Sequence, residues 1–401
     1  MTKPDKKSPP FRPPIESPRT RALVNLVMRP MLRFARGVQR VEIAGGDLKR
    51  LKALKNERVV LTPNHPTNTD PALMLELSRR AGMPFYYLAC REAFDHWNGL
   101  WGALIQRIGA YSVVRGTPDR ASFAFTKELL ARPGAKLVLF PEGEVYSQND
   151  SLLPFQTGAV QLALWGREAA RKTEPNAQVH LLPCALRYRF LRDVTPVLHQ
   201  KLGDLEEHLK LGDGPKELYP RMRRVALRVF EEVEREYGLT PQPGGDITPR
   251  LQAAKEAALM RAAQLFGIGM PRGTLPERMR ALLHEVETAL HDLDEEHMPH
   301  DTQGWENKAR NTRRAWRDLQ RLANWIAVYD GYAQKAPTPE HIAEVIYRLE
   351  IEVFGSATHA GVRIARVRVG QPIPLPEKVS RKELPALTLQ LEQAIAELLR
   401  I

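Results

Sequence analysis

Between Val38 and Pro183 short apolar runs alternate with stretches of helical period. VQRVEIA, RVVLTP, PFYYLAC, LVLFP and QVHLLPCALRY are the runs. Continuous apolarity bounded by Gly, Pro and polar residues predicts strands buried on both faces. Between them ALMLELSRRAG, DRASFAFTKELLA and GAVQLALWGREAARK repeat apolar residues at three- and four-residue steps, the spacing of one helix face. Strand and helix in alternation predict an α/β core: a mixed, largely parallel sheet flanked by helices. In DPALMLELSRRAG, Asp70 suits an N-cap, Pro71 the first helical position and Gly82 the stop.

After Arg189 the pattern becomes long amphipathic stretches punctuated by GDGP, TPQPGGDITP, GIGMPRGTLP and KAPTP, predicting an all-α helical insertion of four or more helices. GVRIARVRVGQPIPL then reads as a strand and LPALTLQLEQAIAELLRI as a last helix. The expected organisation is an α/β core over 38–195, an insertion over 196–361, and a return to the core over 362–401. Ahead of the core, the Pro- and Lys-rich residues 1–18 predict a disordered basic tail. Residues 19–37, RTRALVNLVMRPMLRFARG, place Leu23, Leu26, Val27, Met31 and Phe34 at helical spacing among five arginines. That amphipathic helix suits a lipid interface or docking on its own domain, and both readings stand.

Charge narrows the partners. The 401 residues carry 59 Lys and Arg against 47 Asp and Glu, a formal net charge of +12. An anionic membrane surface, a nucleic acid or a phosphorylated substrate would complement it. An apolar content of 43% excludes a disordered or fibrous chain. Cys90 and Cys184 stand far apart in apolar runs, as buried thiols of a reducing cytoplasm do. No uncharged apolar run reaches about 18 residues, so membrane contact is expected to be peripheral.

The candidate chemistry starts in LTPNHPTNTDP, where His65 and Asp70 lie five positions apart on a loop leaving a strand. The carboxyl edge of an α/β sheet is where ligands bind. An imidazole there can take a proton from a hydroxyl if a carboxylate holds its tautomer and steadies the imidazolium. Three more stretches follow in order: GAYSVVR at 109–115, LFPEGEVYS at 139–147 and LLPCALRY at 181–188. Together with NHPTNTD they resemble the four blocks of the glycerolipid acyltransferase family, typified by bacterial 1-acylglycerol-3-phosphate acyltransferase. The resemblance covers about residues 38–190.

It implies an O-acyltransferase with His65 as general base, Asp70 as its orienting carboxylate, and Arg115, Glu142 and Gly143 holding a phosphorylated acceptor. The implied reaction moves a fatty acyl group from acyl-CoA or acyl carrier protein to a hydroxyl of a lysophospholipid or glycerol phosphate. The thioester is already activated, so no metal or prosthetic group is expected, and no nucleic acid partner. With the two lone cysteines and the missing spanning run, a peripheral place on the cytoplasmic face of a membrane is expected. Backbone N–H groups at the start of the helix after Asp70 are candidate oxyanion donors.

Two departures bear on the acceptor. Glu144 and Val145 stand where the family has Thr and Arg, and Gln156 stands where members commonly carry Lys. Both remove positive charge, so a phosphate would need other cations. Elsewhere, HEVETALHDLDEEHMPH carries His284, His291, His297 and His300 without a tight i, i+4 pair, and reads as a solvated helix face rather than a metal site. WENKARNTRRAWRDLQRLANW interleaves Trp with Arg, but Trp305, Trp316 and Leu319 suit the apolar face of a packed helix.

Overall fold

A computed structural model describes residues 11–97, 99–114, 119–145, 148–241, 247–295, 302–325, 328 and 338–400. The chain divides into two compact units, one formed by residues up to Val145 with Asn149–Arg189 and Arg363–Ile401, the other centred on Phe190–Val362.

The first unit is the α/β core. In chain order it holds α1 (Pro18–Pro30), β1 (Val38–Ile43), α2 (Gly45–Ala53), β2 (Arg58–Pro63), α3 (Asp70–Ala81), β3 (Tyr86–Cys90), α4 (Leu100–Arg107) and β4 (Ala110–Val113). There follow α5 (Arg120–Ala131), β5 (Lys136–Val138), α6 (Gly158–Arg171) and β6 (Val179–Phe190). Among the described residues the sheet has eight strands, ordered β1-β7-β6-β2-β5-β3-β4, where β7 is Arg363–Val369. β8 (Ile373–Pro374) pairs antiparallel with β6. The pairs of β1 with β7, β2 with β5 and β6, and β3 with β4 and β5 are all parallel. The fold class is the mixed, largely parallel α/β sheet that the alternation predicts.

β2 shows why. Its six residues are all buried, and its alternation divides the core in two. Val59 and Leu61 pack with Leu73, Met74 and Leu77 of α3 on one face, and Val60 packs with Leu137, Val160 and Ala163 on the other. Each such side chain contributes on the order of 1.5–3 kcal/mol when fully buried. The middle of the strand, Val59–Leu61, is therefore wholly apolar, the buried Thr62 hydroxyl is spent on Leu182 O at 3.2 Å, and the polar residues of the site come only after the strand ends, at Asn64 and His65.

Residues 11–17 correct the expected tail. They rest against β4 and the end of α4 instead of lying free: Arg12 N–H donates to Ser112 Oγ at 2.8 Å, Ser112 N–H donates to Arg12 O at 3.0 Å, Phe11 packs edge-on to Tyr111, and Ile15 and Ser17 N–H donate to Gln106 O and Arg107 O. β4 is an edge strand with unpaired backbone, and an extended Pro-rich segment covers it. Ser17 then caps α1, accepting from Thr20 N–H. Met28 and, in the π-helical turn Met31–Ala35, Leu32 are buried, while Leu23, Leu26 and Phe34 are 61%, 75% and 80% exposed. The buried pair bears out docking of this segment on its own domain, and the opposite face leaves apolar side chains exposed.

The second unit is helical: α7 (Thr195–His208), α8 (Leu218–Glu236), α9 (Thr248–Leu265), α10 (Leu275–Glu295), α11 (Thr302–Trp325) and α12 (Pro339–Phe354). Leu198, Leu202, Val225, Ile346 and Leu349 form its core. In α11, Leu319 is buried and Arg313 and Arg314 are exposed, as expected for a packed amphipathic helix. His297 and His300 lie outside the described residues, and among those residues no group of His, Cys, Asp and Glu is close enough to hold a metal. No described helix is long and apolar enough to cross a membrane. The last helix of the first unit, α13, spans Leu384–Arg400.

Candidate active site

β2 ends at Pro63, and the next two residues carry the site. Asn64 is fully buried and its amide continues the ladder to β6 where backbone pairing has stopped: Nδ2 donates to Leu186 O at 3.0 Å and Oδ1 accepts Leu186 N–H at 2.7 Å. That anchor fixes where His65 leaves the sheet. The His65 ring lies flat on Phe140, centroids 3.9 Å apart, and its Nδ1 sits 2.8 Å from Asp70 Oδ2. Among the described residues nothing meets Nε2.

Asp70 is the first residue of α3 and is fully buried. It does not cap the helix as its position in the sequence predicts, because Thr69 holds the N-cap place and the carboxylate turns back over the loop. Oδ2 accepts Thr67 N–H at 2.7 Å, and Oδ1 accepts the Tyr188 hydroxyl at 2.5 Å, with Thr67 Oγ1 3.2 Å away. A carboxylate so surrounded keeps one orientation, with Oδ2 aimed at the imidazole. Gly82 ends the helix in the left-handed conformation, as expected. The N–H groups of Ala72 and Leu73 both donate to Thr69 O, so the first turn supplies neither as an oxyanion donor.

Glu142 follows β5 and is 4% exposed. One carboxylate oxygen accepts His65 N–H at 2.8 Å and the other accepts Leu153 N–H at 3.0 Å, tying the His65 loop to the segment ahead of α6. Burial pushes its carboxyl up to about 7, against the pull of those two N–H groups. Gly143 has φ +79°, and a Cβ there would meet Gln156 Nε2, which donates to Glu142 O at 3.2 Å. Glycine is thus required twice over, by conformation and by contact. Arg115 lies outside the described residues. The structure brings His65, Asp70 and Glu142 together, with Gly143 beside them.

Tyr188, Thr67, Phe140 and Asn149 complete the setting; the first three lie inside the ordered blocks without being singled out there, and Asn149 lies outside them. Tyr188 is 2% exposed, and its backbone is gripped on both sides by the Asn149 amide, Nδ2 to Tyr188 O at 2.6 Å and Tyr188 N–H to Oδ1 at 2.5 Å. Its place at the end of LLPCALRY was the available signal. Cys184 is buried, and desolvation holds its thiol far above the ordinary range, which removes it as a nucleophile.

A family model described as Acyltransferase matches residues 42–187, from the end of β1 to within three residues of the end of β6. Residues 42–187 belong to the acyltransferase family. The match takes in His65, Asp70, Arg115, Glu142 and Gly143 and stops one residue short of Tyr188, and the chemistry that goes with the acyltransferase core is transfer of an acyl group. A search of curated proteins finds no significant match to the chain.

Proposed function

We propose that the protein moves a fatty acyl group from acyl-CoA or acyl carrier protein to a hydroxyl of a lysophospholipid or glycerol phosphate, with His65 as general base. The contact of His65 Nδ1 with Asp70 Oδ2 at 2.8 Å carries the reading. A proton held on Nδ1 by the carboxylate leaves Nε2 as the lone pair that receives the acceptor's proton. As that O–H bond breaks, the oxygen attacks the thioester carbonyl. Collapse of the tetrahedral intermediate breaks the C–S bond, and the imidazolium returns its proton to the leaving thiolate. The ester and a free thiol remain, and His65 is regenerated. Phe140, stacked on the ring, restrains it between the two proton transfers.

The buried Glu142 braces the His65 loop, and Gly143 gives the acceptor backbone to approach. Arg115 stays assigned to the acceptor by the resemblance of GAYSVVR. The outer face of α1 and the π-helical turn after it, with Leu23, Leu26, Val27 and Phe34 exposed among Arg19, Arg29, Arg33 and Arg36, suits the surface of an anionic leaflet on the cytoplasmic side.

Purified protein given labelled acyl-CoA or acyl carrier protein and a panel of lyso-acceptors tests this. Transfer by wild type and loss in His65→Ala is the expected result, and equal transfer by both would refute the base.

A further inference from the structure

The acyltransferase core has lost two family cations near the acceptor and gained an acid, Glu144, yet one guanidinium reaches Tyr188, the hydrogen-bond partner of Asp70, from a segment far along the chain. Arg363 opens β7. Residues 365, 367 and 369 of that strand are buried in the cluster that contains Leu73 and Leu77 of α3 and Tyr188. Strand alternation puts Arg363 on this same face, two residues before Ala365. Its guanidinium carbon sits 4.8 Å from the centre of the Tyr188 ring, whose hydroxyl donates to Asp70. Tyr188 is therefore in contact with both the guanidinium and the catalytic carboxylate.

Arg363 also has donors to give. Its Nε is buried without an acceptor, and Nη2 reaches only the carbonyl of Arg36 at 3.4 Å. Among the described residues no carboxylate pairs with it, although Arg366 and Arg368 on the same strand are paired with Glu42 and Asp47. Arg36 brings a second exposed cation to this edge. With Nε enclosed, the Nη groups of this half-buried side chain are the donors left for a phosphate oxygen, which takes a guanidinium N–H in a short charge-assisted bond.

We propose that Arg363 anchors the phosphate of the acyl acceptor. The inference rests on the reading of His65 as the base acting on a phosphorylated lysolipid or glycerol phosphate. The cation has moved from the loops after β5 to the start of β7, so the phosphate lies on the Tyr188 side of the dyad and away from Glu144. The segment that resumes the sheet after the helical unit thereby contributes to substrate choice as well as to the core.

Two measurements test it, with Arg363→Gln, Arg363→Lys and His65→Ala beside wild type. In steady state Arg363→Gln should raise KM for a lysophosphatidate acceptor about 10- to 100-fold, the loss expected for one charged hydrogen-bonded contact, with kcat and the KM for acyl-CoA little changed. Arg363→Lys, a point charge without the fork, should fall between. Equal falls in kcat with lysophosphatidate and with uncharged monoacylglycerol would reduce Arg363 to a brace for Tyr188. A shift confined to the KM for acyl-CoA would give the cation to the donor's phosphates. Either result overturns the proposal.

The second measurement is calorimetric binding of a soluble short-chain lysophosphatidate to His65→Ala with and without Arg363→Gln. Binding weakened by the second substitution is expected. Equal binding, or none to either protein, overturns the proposal independently of turnover. Full activity of His65→Ala would strike the base assignment alone.

Discussion

The two ends of the central sheet bury charge in opposite ways. At the amino end, Lys136 is 1% exposed and its ammonium donates to three carbonyls, Lys55 O, Glu57 O and Gly134 O, while Arg58 donates to Ala131 O and pairs with Glu174. At the carboxyl end, Asp70 and Glu142 are as deeply buried and accept from N–H groups of loops. Parallel strands joined by helices explain the signs. The helices bring carbonyl-rich C-termini to the amino edge and N–H-rich N-termini to the carboxyl edge. What separates structure from function is the remainder. Lys136 fills all three of its donor positions with protein acceptors, whereas the carboxyl end leaves His65 Nε2 unengaged by any described residue. Burial of charge marks both ends, and a spare reactive atom marks only one.

The sharpest way to break this comparison is to alter one buried ion at each end. Asp70→Asn should lower kcat by about 10³- to 10⁴-fold, since the amide neither fixes the Nδ1 proton nor steadies the imidazolium. Lys136→Met should leave kcat of the folded protein unchanged. It should cost about 2–4 kcal/mol of stability, because three buried carbonyls lose their donor. Steady-state kinetics and urea unfolding on both variants measure the two effects. A fall in kcat on removing Lys136 would erase the distinction.

How much of this was legible in the sequence depended on distance along the chain. β2, α3, α5 and α6 follow from local period, and His65 with Asp70 from a five-residue spacing beside three ordered blocks. Tyr188 and Arg363 did not stand out, because each meets the site across the sheet, through pairing of β6 with β2 and β7 that no local pattern encodes. Asp70 looked like a helix cap since caps and loop-bracing carboxylates share residue type and position, and only the location of Thr67 and Tyr188 decides between them. Glu142 was legible as a member of the LFPEGEVYS block, but the N–H groups that claim both its oxygens come from 77 and 11 residues away. The segment 11–17 read as tail from composition, and the open edge of β4 that it covers is a property of the finished sheet.

pH sharpens the comparison further, since the two ends respond with opposite slopes. Glu142 is raised from 4.5 to about 7 by burial, so the folded state binds its proton more tightly than the unfolded chain does. Its contribution is fully present below about 4.5 and is lost as pH rises through about 7, amounting to up to about 3 kcal/mol. Lys136 is lowered from 10.5 to about 8 by burial, with Glu57 opposing. There the unfolded chain binds the proton more tightly, so stability recovers as pH rises from about 8 towards 10.5. Melting temperatures of wild type and Glu142→Gln between pH 5 and 8 isolate the first slope, with the wild type expected to fall relative to the variant as pH rises. Parallel curves would mean that Glu142 is ionised throughout.

The smallest expected effect is the most local. Tyr188→Phe keeps the ring, its packing and the surface on which Arg363 lies, and removes only the donor to Asp70 Oδ1. Burial and the adjacent Asp70 hold the Tyr188 phenol well above its ordinary range, so in wild type it remains a donor at every working pH. Without it, Oδ1 retains only Thr67 Oγ1 at 3.2 Å, while Oδ2 keeps His65 and the Thr67 N–H. The carboxylate then gains freedom to rotate away from the imidazole. A loss of about tenfold in kcat, the worth of one charged hydrogen bond, is expected with KM for both substrates unchanged. If Tyr188 served only to pack β6, kcat would be preserved and the melting temperature would carry the whole change. An unchanged kcat would therefore place the orientation of Asp70 with Thr67 alone, and would detach β6 from the chemistry it borders.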